Sequence, residues 1–407
     1  MKQQNTLQPK LRFPEFRGDW ESDKFKSYVK LNQGLQIPIS ERFTEYVPNS
    51  YYYITNEFLN KNSSKSYYIV NPSNSVICKE SDILMTRTGN TGKVVTNVKG
   101  AFHNNFFKIS YNSNVYKDFL YFYLIHPKIQ HIILSRAGTS TIPDLNHSDF
   151  YSINFVHPSL TEQQKIADYL TTIDKKIELL EEKKTELSRY KKAMMQKLFA
   201  QEIRFKDENG NDYPEWEEKR LGDVFNSFNG LTGKTKENFG FGKPYIKYTQ
   251  VFGSSKIDVG GFDLVEITAN DKQNQAQYGD AFFTVSSETP HEVGMSSVLL
   301  DEVDEVYLNS FCFGIRPKSQ NLNPHYYRYF FRSKNFRKEV VKLAQGSTRY
   351  NMSKVEFMKI NIEIPSLPEQ QKIADFLSAI DESITKVEEQ IKETQNFKKA
   401  MLQQMFV

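Results

Sequence analysis

PSLTEQQKIADYL (158–170) is written a second time as PSLPEQQKIADFL (365–377), 207 positions further along the chain. Sliding the chain on itself by that offset aligns 158–200 with 365–407 without a gap. The match runs through KKAMMQKLFA (191–200) and KKAMLQQMFV (398–407), and 23 of the 43 positions are identical. Agreement of that length is a duplication, and it decides the domain plan. A chain of 407 residues has room for two or three domains. Two copies of a unit of about 200 residues account for it.

Within the repeat, apolar residues fall at Ile166, Leu170, Ile173, Ile177, Leu180, Leu187, Met194 and Leu198. The steps alternate four and three once Lys184 and Lys191 share the stripe. The second copy gives Ile373, Leu377, Ile380, Ile384, Val387, Ile391, Met401 and Met405, with Thr394 and Lys398. A heptad kept for more than four repeats predicts a coiled coil. Ser159 or Thr161 suits the helix cap, and Pro368 sits where a first-turn proline is tolerated. A helix of about 38 residues is about 57 Å long, and it must bury its stripe on something. The complementary stripe nearest to hand is the other copy. The expectation is an intramolecular antiparallel coiled coil about a pseudo-two-fold axis, with a globular domain at each end.

The duplication continues weakly outside the helices. Leu11-Arg12-Phe13 is similar to Ile203-Arg204-Phe205. Trp20-Glu21 and Trp216-Glu217 are 196 apart, and Gly34 and Gly230 keep that offset. GTSTIPDLNHSDF (138–150) is similar to GSTRYNMSKVEF (346–357). Between these ends the halves look unrelated, so each unit has a similar frame and a different filling. The fillings read as mixed α/β. Strand-like runs include 50–55, 83–89, 106–111, 281–287 and 358–364. Helix-like runs cover 116–135, interrupted at Pro127, and 323–344, where Asn323 suits an N-cap with Pro324 behind it. The predicted class is α+β: two mixed domains (1–157 and 201–364) joined by two long helices (158–200 and 365–407).

The hydrophobic fraction of 39% and charged fraction of 25% are those of an ordinary globular chain. Cys78 and Cys312 lack CxxC partners and suggest neither a zinc cluster nor a disulfide scaffold, which favours a reducing cytoplasm. The start, MKQQNTLQPKLRF, lacks the apolar core of a signal peptide. No run of about 18 apolar residues is present, so no membrane association is expected. The first domain carries 18 basic against 12 acidic residues over 1–157, the second 21 against 23 over 201–364. The second would therefore need a local basic patch to meet a polyanion.

No catalytic cluster emerges. The seven histidines form no HExxH, and GxSxG and GxxxxGK[ST] are missing. Pro143-Asp144 is not followed closely by the acidic-x-Lys strand of a nuclease. Asn323-Pro324-His325-Tyr326 resembles the NPP[YF] motif of DNA amino-methyltransferases, but histidine replaces the second proline. Phe239-Gly240-Phe241-Gly242 lacks a convincing following helix for a cofactor loop. A methyltransferase in this chain is the disfavoured alternative, and neither catalytic residues nor metal ligands are expected.

Several loops combine glycines, hydroxyls, amides and a cation, the chemistry that holds phosphates and reads base edges. In the first half these are TRTGNTGK (86–93), AFHNNF (101–106) and SRAGTSTIPD (135–144), which nominate Arg87, Asn90, Thr91, Lys93, Asn104, Asn105, Arg136, Ser140 and Thr141. In the second half, TVSSETPHEVG (284–294) and QGSTRYN (345–351) nominate Ser286, Ser287, Thr289, Ser347, Thr348, Arg349 and Tyr350. The run after Asn323 adds Arg328 and Arg332 among other cations, as a basic patch in an acidic unit.

These features together resemble the specificity subunit of a type I restriction–modification system (the HsdS family). The resemblance rests on the duplicated P-x-L-x-E-Q-x-K-I-A-x-x-L helix starts, the WE…G openings and the GTST and GSTR turns, and covers nearly the whole chain. It implies two target recognition domains, each reading one half of a split sequence in double-stranded DNA. It implies that the paired helices set the spacer and dock two methyltransferase subunits, so the stripe residues Ile166 to Leu187 and Ile373 to Ile391 are expected to serve pairing or docking. It implies no cofactor in this chain. S-adenosylmethionine belongs to the partner methyltransferases, and ATP and Mg to a partner restriction/translocase subunit. A coiled-coil adaptor that binds only proteins is the alternative from another class.

Overall fold

Helix α4, Leu160–Phe199, begins where the Ser159 carbonyl accepts the Gln163 N–H at 2.9 Å. Its Glu-, Lys-, Gln- and Leu-rich composition favours helix throughout. It ends at Gln201, which adopts φ 55°. The Glu202 N–H then reaches the Lys197 carbonyl (3.0 Å) and the Gln201 N–H the Leu198 carbonyl (3.1 Å). That is a Schellman stop with glutamine where glycine is usual. The computed structural model describes residues 7–60, 62–138 and 142–407.

The chain divides into two compact units, 1–181 with 389–407, and 182–388. Each unit takes part of α4 and part of a second long helix, so the division falls inside the helices.

In unit 1, two four-stranded sheets form from β1 (Glu21–Lys24), β2 (Val29–Gln33), β3 (Ser50–Ile54), β4 (Tyr68–Val70), β5 (Ile77–Cys78), β6 (Ile83–Thr86), β7 (Val94–Thr96), β8 (Gly100–Phe102) and β9 (Phe106–Tyr111), with β1 standing apart. Helices α1 (Lys117–Ile125), α2 (Pro127–Ala137) and α3 (His147–Tyr151) follow, then β10 (Asn154–His157) before α4. The sheet orders are β2-β9-β6-β7 and β4-β3-β8-β5, and β1 pairs with β10.

Unit 2 contains β11 (Glu217–Arg220), α5 (Leu221–Val224), β12 (Phe225–Asn229), β13 (Phe239–Ile246), α6 (Tyr248–Gly253), β14 (Asp263–Val265), β15 (Gln275–Ala276), β16 (Ala281–Thr284), β17 (Ser286–Ser287), β18 (Ser296–Val298), β19 (Val306–Leu308) and β20 (Cys312–Pro317). It continues with α7 (Pro324–Phe330), α8 (Lys334–Val341), β21 (Tyr350–Asn351), α9 (Lys354–Phe357), β22 (Asn361–Ile364) and the second long helix α10 (Leu367–Met405). Its sheets run β12-β20-β16-β18 and β14-β13-β19-β15, and β11 pairs with β22. The halves that look unrelated in sequence therefore share one topology, down to the parallel pairing of β3 with β8 and of β13 with β19.

The central strands explain how unlike sequences fold alike. In β6, ILMT, all four residues are buried. Ile83 and Met85 face the helices while Leu84 joins the smaller cluster toward the second sheet. In β16, AFFT, Ala281 and Phe283 face the helices and Phe282 the other way. The pleat requires only that successive side chains be apolar on opposite faces.

The run 323–344 is two helices rather than one, because the Ser333 side chain accepts the Phe336 N–H and starts α8. His126 does the same for α2 at the equivalent break in unit 1.

The long helices pair antiparallel. In unit 2, Lys184 meets Glu388 at 2.8 Å and Lys191 meets Asp381 at 2.5 Å. A seven-residue step up α4 is a seven-residue step down α10. In unit 1, Lys398 meets Asp174 at 2.5 Å, the duplicate of the Lys191–Asp381 pair. The stripe lysines are thus neutralised across the seam. Ile166, Leu170, Ile173, Ile373, Leu377, Ile380 and Val387 are buried, while Ile177, Leu180, Leu187, Ile384 and Ile391 are half-buried. Ile166, Leu170 and Ile173 belong to the core of unit 1, and Ile373, Leu377 and Ile380 to that of unit 2, so the start of each stripe packs on its own domain. The large apolar groups left exposed in mid-helix are Leu179, Tyr190 and Phe397.

The polar residues of the repeated helix start clamp each domain to its helix. Glu162 receives both arms of Arg12 (2.7 and 2.8 Å), and Glu369 receives Arg204 (3.1 and 2.9 Å) and the Trp216 indole (3.2 Å). Gln163 accepts the Tyr116 N–H and donates to the Asn114 and Pro158 carbonyls. Gln370 does the same with Asn323, Asn321 and Pro365. All four are buried. Unit 1 is closed by the end of α10: the Leu11 N–H donates to the Gln404 carbonyl at 2.8 Å, and the Phe406 ring packs on Phe119 and Trp20.

Candidate nucleic-acid interface

At the end of β6 the Thr86 hydroxyl accepts the Lys93 N–H (2.8 Å), and the Thr86 carbonyl accepts the Gly92 N–H (2.9 Å). At the end of β16, Thr284 closes the turn in the same way on Met295 (3.0 Å) and Gly294 (3.1 Å). Both closures leave a loop standing out, 87–91 in unit 1 and the longer 285–293 in unit 2. The glycines sit where left-handed backbone is needed, at φ 86° for Gly92 and 63° for Gly294.

The first residue of each loop fixes two neighbouring loops. The Arg87 N–H donates to the Asn105 carbonyl (2.7 Å), and its carbonyl accepts the Leu145 N–H (2.9 Å). Val285 repeats this with the Phe311 carbonyl (3.0 Å) and the Met352 N–H (3.0 Å). Three loops therefore meet at the same corner of the same sheet in each unit. They are the loops whose composition suggested DNA contact, joined in unit 2 by the β19–β20 turn that carries Phe311.

Not every nominated side chain is free there. Asn90 and Lys93 are exposed on the first loop, while Thr91 is buried with its hydroxyl donated to the Pro143 and Arg87 carbonyls. Arg87 forms an ion pair with Asp144 at 2.7 Å and lies over the Phe107 ring. Asn104 and Asn105 are half-buried on the second loop, and Asn104 donates to Gln36. Ser140 and Thr141 lie outside the described residues. Arg136 is away from the three loops, hydrogen-bonded to Ser152 beside a cleft with Lys24, Lys128 and His131. In unit 2, Ser347, Thr348 and Arg349 are exposed, and Thr289 donates to Glu292. Ser286 and Ser287 form β17, which pairs with Tyr350 and Asn351 in β21.

The arginines of the patch on α7 and α8 are a correction to the sequence expectation, while Lys334 and Lys338 stay exposed. Arg328 is buried and bonded to Tyr329, Ser378 and Asp381. Arg332 donates to the carbonyls of Ser296, Val251, Phe252 and Ser254. Arg337 holds those of Gly294, His291 and Val293, under the first loop. Burial pushes both Arg332 and Arg337 down to about 10, low for a guanidinium, yet leaves them charged at neutral pH. These arginines tie chain segments together. Arg332→Ala is expected to lower the stability of unit 2 by about 2 kcal/mol through the carbonyls left unpaired, with base discrimination unchanged. Thermal melting beside DNA competition checks this; normal melting with altered discrimination would return Arg332 to the interface.

The near-methyltransferase stretch also has a structural use. The Asn323 side chain accepts the His325 N–H as the cap of α7 and donates to Gln371, and Tyr326 is buried. Among the described residues no group of His, Cys, Asp and Glu is placed to hold a metal, and no helix is long and apolar enough to cross a membrane.

Comparison with known proteins gives a consistent result. The family described as type I restriction modification DNA specificity domain matches twice, over residues 18–189 and 213–394. The chain is 26% identical over 393 residues to the type I restriction enzyme MjaVIII specificity subunit of Methanocaldococcus jannaschii, covering 92% of this chain and 88% of that one. It is 25% identical over 204 residues to the StySPI specificity subunit of Salmonella potsdam, covering 48% and 43%. Its fold is similar to the crystal structure of the type I system S subunit from M. genitalium, with a TM-score of 0.56 at 16% identity over 98% and 99% of the two chains. The HsdS subunit from Thermoanaerobacter tengcongensis gives 0.51 at 16% identity over 95% and 96%. With both copies of the specificity domain present and most of its length covered, the chain belongs to the type I restriction–modification DNA specificity family.

Proposed function

We propose that this chain is the non-catalytic DNA-reading subunit of a type I restriction–modification complex, each unit reading one half of a split sequence through its three-loop corner. The supporting observation is that two units of one topology present loops of different sequence at the equivalent corner. A shared scaffold with unlike reading loops suits an asymmetric two-part target. The partners in this reading are two methyltransferase subunits carrying S-adenosylmethionine, and a restriction/translocase subunit using ATP and Mg. Tyr190 and Phe397 favour two identical partners: they are duplicates of one another, both exposed, one on each long helix.

The paired helices act in this reading as the ruler for the spacer. Inserting seven residues at matched points of both helices keeps the seam in phase. With the methyltransferase co-expressed and N6-methyladenine mapped in host DNA, the expected result is the same two half-sites with a longer gap. An unchanged gap would remove the ruler, and the lack of any split motif in the parent complex would leave a protein-binding adaptor.

A further inference from the structure

The loops of unit 2 enclose a cleft of about 410 Å³ walled by Tyr248, Phe252 and Phe311 and edged by Glu288, Glu292 and Arg349. The Tyr248 and Phe252 rings stack at 6.0 Å, and the Tyr248 hydroxyl donates to the Ser286 carbonyl, which sets that wall. Phe311 stands 60% exposed at the mouth. Glu292 is engaged by the Thr289 hydroxyl at 2.8 Å. Glu288 and Arg349 are exposed and make no hydrogen bond or ion pair with any described residue.

A free carboxylate is an odd group to find on a surface that meets DNA. Phosphates repel it, at a density of about one charge per 1.7 Å of duplex. It is favourable only where it looks past the backbone at an amino group on a base edge, and the cytosine N4 amino group is the donor that a glutamate accepts in the major groove. An unpaired guanidinium beside it is the matching fork for the O6 and N7 of guanine. We propose that Glu288 and Arg349 form the base reader of unit 2, Glu288 accepting from a cytosine and Arg349 donating to a guanine of the same half-site. Among the described residues unit 1 shows no equivalent: its loop Arg87–Lys93 carries no carboxylate, and Arg87 is already held by Asp144. The two halves of the target are then unlike because their readers are of opposite kinds, a charged pair in one and amides with a lysine in the other.

This inference rests on the proposed function, and the experiment separates the two. The full chain is purified with its methyltransferase, the split motif is mapped, and duplexes with every single-base change compete for binding. With Glu288→Gln, discrimination at one cytosine position is expected to fall on the order of tenfold or more, while binding to unrelated DNA rises as a negative charge is lost. Arg349→Ala is expected to relax a guanine in the same half-site. Finding no split motif overturns the proposed function itself. A split motif whose discrimination is untouched by Glu288→Gln, or relaxed at a base other than cytosine, overturns the inference and leaves the function standing.

Discussion

Glu369→Ala is expected to lower the stability of unit 2 by about 3 kcal/mol, the scale on which a buried ion pair fails when one partner is removed. Glu369 is wholly buried, while the side chain of Arg204 is 19% exposed. Removing the carboxylate strands the guanidinium and takes away the acceptor of the Trp216 indole. Arg204 keeps the Tyr213 and Pro214 carbonyls, which holds the loss to the lower end of the range. Glu162→Ala should cost unit 1 somewhat less, because the Trp20 indole has no acceptor there to lose. The two tryptophans make the measurement direct, since each unit contains one. In a Trp20→Phe background, fluorescence reports the unit 2 transition alone. A loss below about 1 kcal/mol would mean that the carbonyls suffice to hold Arg204.

Gly230→Ala is the second large expected effect. A Cβ there would lie 2.1 Å from the Asn309 carbonyl oxygen and 2.8 Å from that of Leu308. Both obstacles are backbone, so no side chain can turn aside. The Leu231 N–H bond to the Leu308 carbonyl, 2.7 Å, holds the two segments together at this point. Overpacking against fixed backbone should cost about 3 kcal/mol. It should also move the turn that carries Phe311, so reading of one half-site should be lost even where the protein remains folded. Gly34 is the equivalent position in unit 1, 2.2 Å from the Phe102 carbonyl oxygen. Gly253→Ala is the control, because nothing lies within 4 Å of its added carbon. Equal melting of the Gly230 and Gly253 variants would show that β12 can give way at no cost.

The long helices were the most legible part of the chain, because a heptad is a local pattern and both copies carry it. Even the polar interruptions were informative: Lys184, Lys191 and Lys398 belong to the seam, where each finds a carboxylate. The common topology of the two fillings was not legible. ILMT and AFFT share only their final threonine, which closes the loop in both, since for the rest the pleat specifies apolar character and alternation rather than residue type. The loops proposed to read DNA were singled out by their glycines and hydroxyls, as turns with positive φ leave that signature. Which cations are free was not legible. Arg332 and Arg349 look alike in a charge census. The four carbonyls that hold Arg332 come from segments 36 to 81 positions away, whereas Arg349 holds none. Glu288 lay inside a loop already singled out, but carboxylates count against DNA binding when charge is summed rather than placed.

The seating of Phe406 against Trp20 and Phe119 has a consequence for biosynthesis. Domains are generally completed in order as the chain leaves the ribosome. Unit 2, which is whole once residue 388 has emerged, needs nothing further. Unit 1 begins first but waits for 389–407, leaving the faces of Trp20 and Phe119 that Phe406 covers open through the synthesis of more than half the chain. The N-terminal domain is therefore the later of the two to close, and a nascent chain halted short of Leu402 carries its incomplete core at the opposite end from the stop.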